Sequence, residues 1–213
     1  MQDFHDSHRS LPAGLAAVAG YVDAVGFLML GGLFVASMSA DATMAAAGAA
    51  HLPSHAFLAS LLIAFFVIGV VAGSVINGLK KVRHRAAVLA LVAILLTLAA
   101  GLSSLYWTWG AGLMLAAAIG AANVVVQTDE GHISATRFLG SFGRDIAGRI
   151  AGDANSEWTR YLSLWIALVA GALVGALAYT FVATASLWLP AGATAIMAAV
   201  EWRRSNVQTS TVL

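Results

Sequence analysis

Leu15-Ala16-Ala17-Val18-Ala19-Gly20-Tyr21-Val22-Asp23-Ala24-Val25 returns one hundred residues later as Leu115-Ala116-Ala117-Ala118-Ile119-Gly120-Ala121-Ala122-Asn123-Val124-Val125. At that offset Leu15, Ala16, Ala17, Gly20 and Val25 meet identical residues, and Gly31 falls on Gly131. Each stretch is apolar apart from a single strongly polar position, Asp23 in the first and Asn123 in the second. A carboxylate at membrane depth costs roughly 2.5–3.5 kcal/mol on insertion scales, so it marks a functional site by default. Internal symmetry around such positions is how many transporters are built. The two stretches therefore read as one segment of an internal repeat.

The composition puts that segment in a membrane. Hydrophobic residues make up 60% of the chain and charged residues 10%, with a mean hydropathy of +0.85. A soluble domain carries about 25% charged residues. Several runs approach the roughly 20 apolar residues a spanning helix needs, so the expected class is an all-α polytopic membrane bundle. The net charge of +1 says nothing about nucleic acid, but no Lys/Arg block is long enough to bind it, so none is expected as a partner. Without cysteine there are no disulfides, thiol nucleophiles or Cys-ligated metals. Met1–Arg9 is polar and lacks the apolar core of a cleavable signal, so the first span is expected to act as its own insertion signal.

Working outward, about six spans are expected, near 11–31, 56–79, 86–106, 110–127, 161–182 and 185–202. Trp107, Trp109, Trp158, Trp188 and Trp202 fall near their ends, where interfacial aromatics belong. Two polar segments, about 33–50 and 132–150, remain as broken or re-entrant pieces. The second holds Arg137, Arg144, Asp145 and Arg149, too much charge for a lipid-facing span. Six spans place Arg9, the cluster Lys80-Lys81-Val82-Arg83-His84-Arg85 and Arg203-Arg204 all in the cytoplasm with both termini, whereas eight spans do not. Three crossings then separate the start of one copy from the start of the next, which makes the repeats inverted. Repeat 1 covers about 11–79, a linking span 86–106, repeat 2 about 110–182 and a final span 185–202, in a single membrane domain. Gly69 and Gly73 match Gly171 and Gly175, and small residues four apart let helix backbones approach closely.

The candidate substrate- or ion-binding residues are Asp23, Asn123, Ser39, Asp41, Ser134 and Thr136, with Arg137 at the mouth of the cavity. Asp23 suits a proton, a cation or the solute itself, and Asn123 keeps its shape without its charge. Ser39 and Asp41 in one polar break, and Ser134 and Thr136 in the other, supply groups that satisfy a broken helix or a polar solute. Half-helix N-termini in such a cavity favour anions, whereas exposed carbonyls and Asp41 favour cations. His51 and His55 are four apart, but Pro53 between them argues for a loop, and no metal is assigned. No HExxH, GxSxG or phosphate-binding loop occurs, nor the Gly-x-Gly-Asp of intramembrane aspartyl proteases, so neither an enzyme nor a cofactor is expected.

Ala19-Gly20-Tyr21-Val22-Asp23-Ala24-Val25-Gly26-Phe27, followed by Gly31-Gly32-Leu33-Phe34-Val35, resembles the YoaK family, also called DUF1275. The resemblance continues through Gly120 to Gly140 and in outline covers residues 11 to about 202. It implies a bacterial inner-membrane protein of six spans and carries no mechanism with it. Two departures stand out. Where the family usually reads Met-Thr-Gly-Asn after its first span, this chain has Met38-Ser39-Ala40-Asp41. Where it usually reads Tyr-Val-Thr-Gly-Thr in the second copy, this chain has Arg137-Phe138-Leu139-Gly140-Ser141.

The expected function is a small-solute transporter or channel of the inner membrane with a midplane polar site. Its partners are then the lipid bilayer and a small polar solute or ion, and a homo-oligomer is compatible with the sequence. The alternative is a non-transporting interaction or stress-related membrane protein whose polar residues hold helices together.

Overall fold

The computed structural model describes residues 3–78, 84–127, 135–150 and 158–210. They form helices α1 (Asp3–Met29), α2 (Met38–His51), α3 (Pro53–Gly78), α4 (His84–Ser104), α5 (Thr108–Gln127), α6 (Ala135–Ile150), α7 (Trp158–Val182) and α8 (Trp188–Ser210). A short 3₁₀ turn, Ala183–Leu187, joins the last two. No strand occurs among the described residues, and the chain is all-α.

By length and composition, five stretches of these residues can cross a membrane: Leu11–Met29, Pro53–Gly78, His84–Ser104, Thr108–Val125 and Thr159–Ser205. The last runs for 47 residues and contains both α7 and α8. Large apolar side chains stand exposed along α3 (Val67, Ile68, Val71, Val75) and along α7 (Ile166, Leu173, Val174, Leu177). A water-facing surface of that kind is not sustainable, whereas lipid solvates it without cost.

The packing follows from glycine. α1 lies along α7 and α3 along α5, while α4 sits between α5 and α8. α2 rests on α3, and α6 on α7. At the α1–α7 crossing a Cβ built on Gly20 runs into the Leu168 carbonyl, and one on Gly171 runs into the Ala17 carbonyl. At the α3–α5 crossing Gly120 stands in the same way against the Phe66 carbonyl, and Gly69 against the Ala117 carbonyl. One turn on, Gly175 abuts Tyr21 and Gly73 abuts Ala121. Each contact in one pair has its counterpart in the other: Ala17 with Ala117, Gly20 with Gly120, Tyr21 with Ala121, Gly69 with Gly171 and Gly73 with Gly175. Backbone-to-backbone approach of this kind holds helices in lipid, where no hydrophobic driving force acts between them.

The two crossings differ in what stands at Tyr21. Tyr21, which corresponds to Ala121, is buried and donates its hydroxyl hydrogen to the Ser186 carbonyl at 2.9 Å. That bond ties α1 to the 3₁₀ turn between α7 and α8. Tyr21→Phe removes it and leaves the Ser186 carbonyl only the Trp188 amide, so stability should fall by about 1 kcal/mol. A thermal melt of the purified protein in detergent reads the change.

Candidate functional site

α1 ends in a motif the sequence prepares. Gly31 adopts φ +68 and Gly32 φ +103, both in the left-handed half of the map. The Gly32 amide donates back to the Phe27 carbonyl at 2.9 Å and the Leu30 amide to the Gly26 carbonyl at 2.8 Å. The longer of these reaches is the Schellman closure that a glycine past the helix end permits. The chain then turns back over its own helix. Gly26 makes room for this, since a Cβ there would stand 2.9 Å from both methyl carbons of Val35. Phe27 and Phe34 stack across the turn with ring centres 4.9 Å apart.

Residues 33–37 are neither α1 nor α2, so their backbone N–H groups need partners from elsewhere. Two carboxylates provide them. Asp23 Oδ1 accepts from the amides of Val35 and Ala36, both at 2.9 Å, and Asp23 Oδ2 accepts from the Ser37 hydroxyl at 3.4 Å. Asp41 Oδ1, in the first turn of α2, accepts from the Phe34 amide at 3.1 Å. The connection is thus held from below by Asp23 and from the side by Asp41. Ser37 immediately precedes α2, yet its side chain makes no capping bond to that helix. It turns to Asp23 instead, which places the Asp23 carboxylate at the N-terminal end of α2, where the helix dipole favours negative charge.

The two carboxylates are not equivalent. Asp23 has acceptor bonds on both oxygens. Asp41 is 0% exposed, and its Oδ2 is buried with no hydrogen-bond partner. A buried polar oxygen left unbonded is costly, and such atoms in folded proteins call for an explanation. The two carboxylates accept from neighbouring amides, Phe34 for Asp41 and Val35 for Asp23, and so share one site.

Among the residues expected to form the site, the structure therefore brings Asp23 and Asp41 together on one loop. Ser39 is exposed on α2, and its carbonyl accepts from the Thr43 hydroxyl at 3.1 Å. Asn123 is buried in α5, where its side-chain amide donates to the Ile119 carbonyl one turn earlier at 3.0 Å. It is not among the donors on Asp23. Ser134 lies outside the described residues, and Thr136 and Arg137 fall in the first turn of α6 with side chains outside the described part of the structure. Further along α6, Phe138 and Ser141 are buried, and Arg144 donates to the Ser141 hydroxyl at 3.1 Å. The sequence reading passed over Ser37 as a site residue, together with the amides of Phe34, Val35 and Ala36, because main-chain donors leave no mark in a residue pattern.

Among the described residues no group of three or more His and acidic side chains comes together. One unbonded carboxylate oxygen supplies a single ligand, whereas hard cations such as calcium take six to eight.

A family model described as a protein of unknown function (DUF1275) matches residues 11–200. Comparison with curated proteins and with solved structures finds no match.

Proposed function

The chain belongs to the DUF1275 family, and we propose that it is a small-solute transporter or channel of the bacterial inner membrane, working through the polar site at Asp23 and Asp41. The observation that carries this reading is the Asp41 carboxylate, wholly buried with one oxygen unbonded, which together with Asp23 holds irregular backbone between two helices. Non-helical backbone at membrane depth is tolerated only where it is buried in protein or lines a water-filled cavity. Ionisable residues there typically mark solute and ion paths.

The architecture proposed is a pair of inverted repeats with six crossings. In support, α2 has 14 residues and α6 has 16, each short of the roughly 20 that a crossing needs. Ala183, at φ +48, opens the 3₁₀ turn that separates α7 from α8, so these two helices count as separate crossings. Six crossings put the clusters Lys80–Arg85 and Arg203-Arg204 on the cytoplasmic side with both termini. Three of them, α1, α3 and α4, separate the start of α1 from the start of α5. A two-fold exchange of α1 with α5 and of α3 with α7 carries the Gly20–Gly171 crossing onto the Gly120–Gly69 crossing, the relation inverted repeats require.

A second reading is favoured by Asp23 itself. Its bonds are all to the connection it supports, as in a protein whose polar groups only hold helices together. Water decides between the two. The chain contains no cysteine, so single cysteines at positions 41, 123 and 134 report unambiguously when a water-soluble thiol reagent is added to membranes from one side or the other. Under transport, position 41 reacts from one side, position 134 in the second repeat reacts from the opposite side, and position 123 is protected. Complete protection of position 41 in the folded protein would sink the transport reading and leave the structural one.

A further inference from the structure

We propose that Asp41 is a proton site: Oδ2 carries an exchangeable proton while Asp23 remains ionised, which makes the proton the coupling ion of the transport activity inferred above. The proposal deepens that reading and rests on it for the coupling. The proton itself rests on the geometry of the two side chains.

The division of labour follows from the hydrogen bonds. Asp23 accepts two amides and one hydroxyl at the start of α2, a set of donors that suits a carboxylate and favours its ionised form over that of Asp41. Asp41 accepts one amide on Oδ1, and its Oδ2 faces no donor. Two carboxylates that share a site do not readily both ionise, and the second proton stays with the member whose charge is least compensated. That member is Asp41.

Among the described residues, the elements around Asp41 bring no other charge to neutralise it. The loop from Leu30 to Ser37 has no titratable side chain. α1 contributes Asp23 from its membrane part, Leu11–Met29. α3, packed against α2, has His55 as its one ionisable residue, and α2 itself has only His51 besides Asp41. Both histidines lie at the far end of the α2–α3 hairpin, where Gly48 meets Ala56. A proton answers the free Oδ2 with a single bond. The chemistry is a balanced transfer: hydronium from the water path gives one proton to Oδ2, an O–H bond forms, and one water molecule is left. Release reverses both steps.

The test is infrared spectroscopy of the full-length protein in phosphatidylcholine nanodiscs. A protonated carboxylic acid gives a C=O stretch resolved from ionised carboxylates, and that stretch shifts when the acid hydrogen is exchanged for deuterium. The expected result is one buried acid band at neutral pH that shifts promptly in deuterated water. It should be absent from Asp41→Asn and kept in Asp23→Asn. Thermal melts establish that both variants are folded. Should Asp41→Asn fail to fold, Asp41→Glu serves in its place and should move the band rather than remove it. A spectrum with no acid band, or a band that Asp41→Asn or Asp41→Glu leaves unchanged, overturns the proton site. A band that belongs to Asp41 but never exchanges overturns the coupling. These outcomes are separable from the cysteine test: a reactive position 41 without an acid band removes the proton and leaves transport, whereas a protected position 41 removes transport whatever the spectrum shows.

Discussion

Gly20→Ala and Gly171→Ala should each destabilise the protein severely, while the chemically identical change Gly192→Ala should stabilise it. The opposite signs follow from what the added methyl group meets. At Gly20 and Gly171 it meets a carbonyl of the facing helix, the Leu168 carbonyl in one case and the Ala17 carbonyl in the other. A flexible side chain can swing away from a methyl group, but a backbone carbonyl within a helix cannot, so α1 and α7 must separate along their whole crossing. Overpacking a core costs about 1–3 kcal/mol and occasionally more, and a backbone obstacle puts these two sites at the upper end, about 3 kcal/mol or beyond. At Gly192 on α8 nothing lies within 4 Å, so only the intrinsic preference of a helix for Ala over Gly remains, a gain of up to about 1 kcal/mol. Gly69→Ala and Gly120→Ala should behave like the first pair at the α3–α5 crossing. Residues at one crossing share one separation of helices, so Gly20 with Gly171 should be less than additive, whereas Gly20 with Gly120 should add. Melting curves in detergent, followed by the loss of monodisperse protein, give both the sign and the additivity. Wild-type stability of Gly20→Ala and Gly171→Ala would mean that the helices do not approach at these glycines.

The close approach at these glycines is the part of the fold that the sequence states most openly. A Gly four residues from another Gly in an apolar run has few uses besides helix contact, and Gly69, Gly73, Gly171 and Gly175 all have that use. The ends of the helices are less plain. α3 starts at Pro53, three residues ahead of the expected span, since proline is tolerated in the first turn of a helix. Within the site, Asp23 and Asp41 were legible because a carboxylate in an apolar chain is conspicuous by its cost.

What the pattern did not reveal is which atoms they touch. Asp23 bonds to main-chain amides twelve and thirteen residues ahead, and every residue type except proline carries that donor. Ser37 and Ser39 differ only in where α2 begins. Because the helix starts at Met38, Ser37 stays in the connection and reaches Asp23, while Ser39 turns outward. The match of Asn123 to Asp23 is real in sequence but not in environment. Around Asn123 the helix is unbroken, and its side chain satisfies itself on the Ile119 carbonyl. A carboxylate there would have no hydrogen to give to that carbonyl, which is a physical reason for the amide.

Asp23→Ala is the other change expected to have a large effect, and its consequences reach Asp41. Alanine leaves the Val35 and Ala36 amides without acceptors and the Ser37 hydroxyl without its partner. An unsatisfied buried donor costs about 1–3 kcal/mol, so the loss for two amides is about 3 kcal/mol, the connection being partly buried and open to some relief. Asp23→Asn should lose much less. Its side-chain carbonyl still accepts from both amides, and only the bond from Ser37 is exchanged for a weaker one. The expected order of stability is Asp, then Asn close behind, then Ala. The local signature is sharper than the global one, because hydrogen exchange at the Val35 and Ala36 amides should accelerate strongly in Asp23→Ala and only slightly in Asp23→Asn. Release of the connection also frees the start of α2, since Phe34 is held to Asp41 by the amide next to the two that are lost. A cysteine at position 41 should therefore react faster in the Asp23→Ala background than in the parent chain. Unchanged exchange at Val35 and Ala36 in Asp23→Ala would show that Asp23 does not hold the connection. Acceleration confined to Asp23→Ala would identify Asp23 as the clasp of the connection and leave Asp41, with its free oxygen, as the side chain that meets the proton.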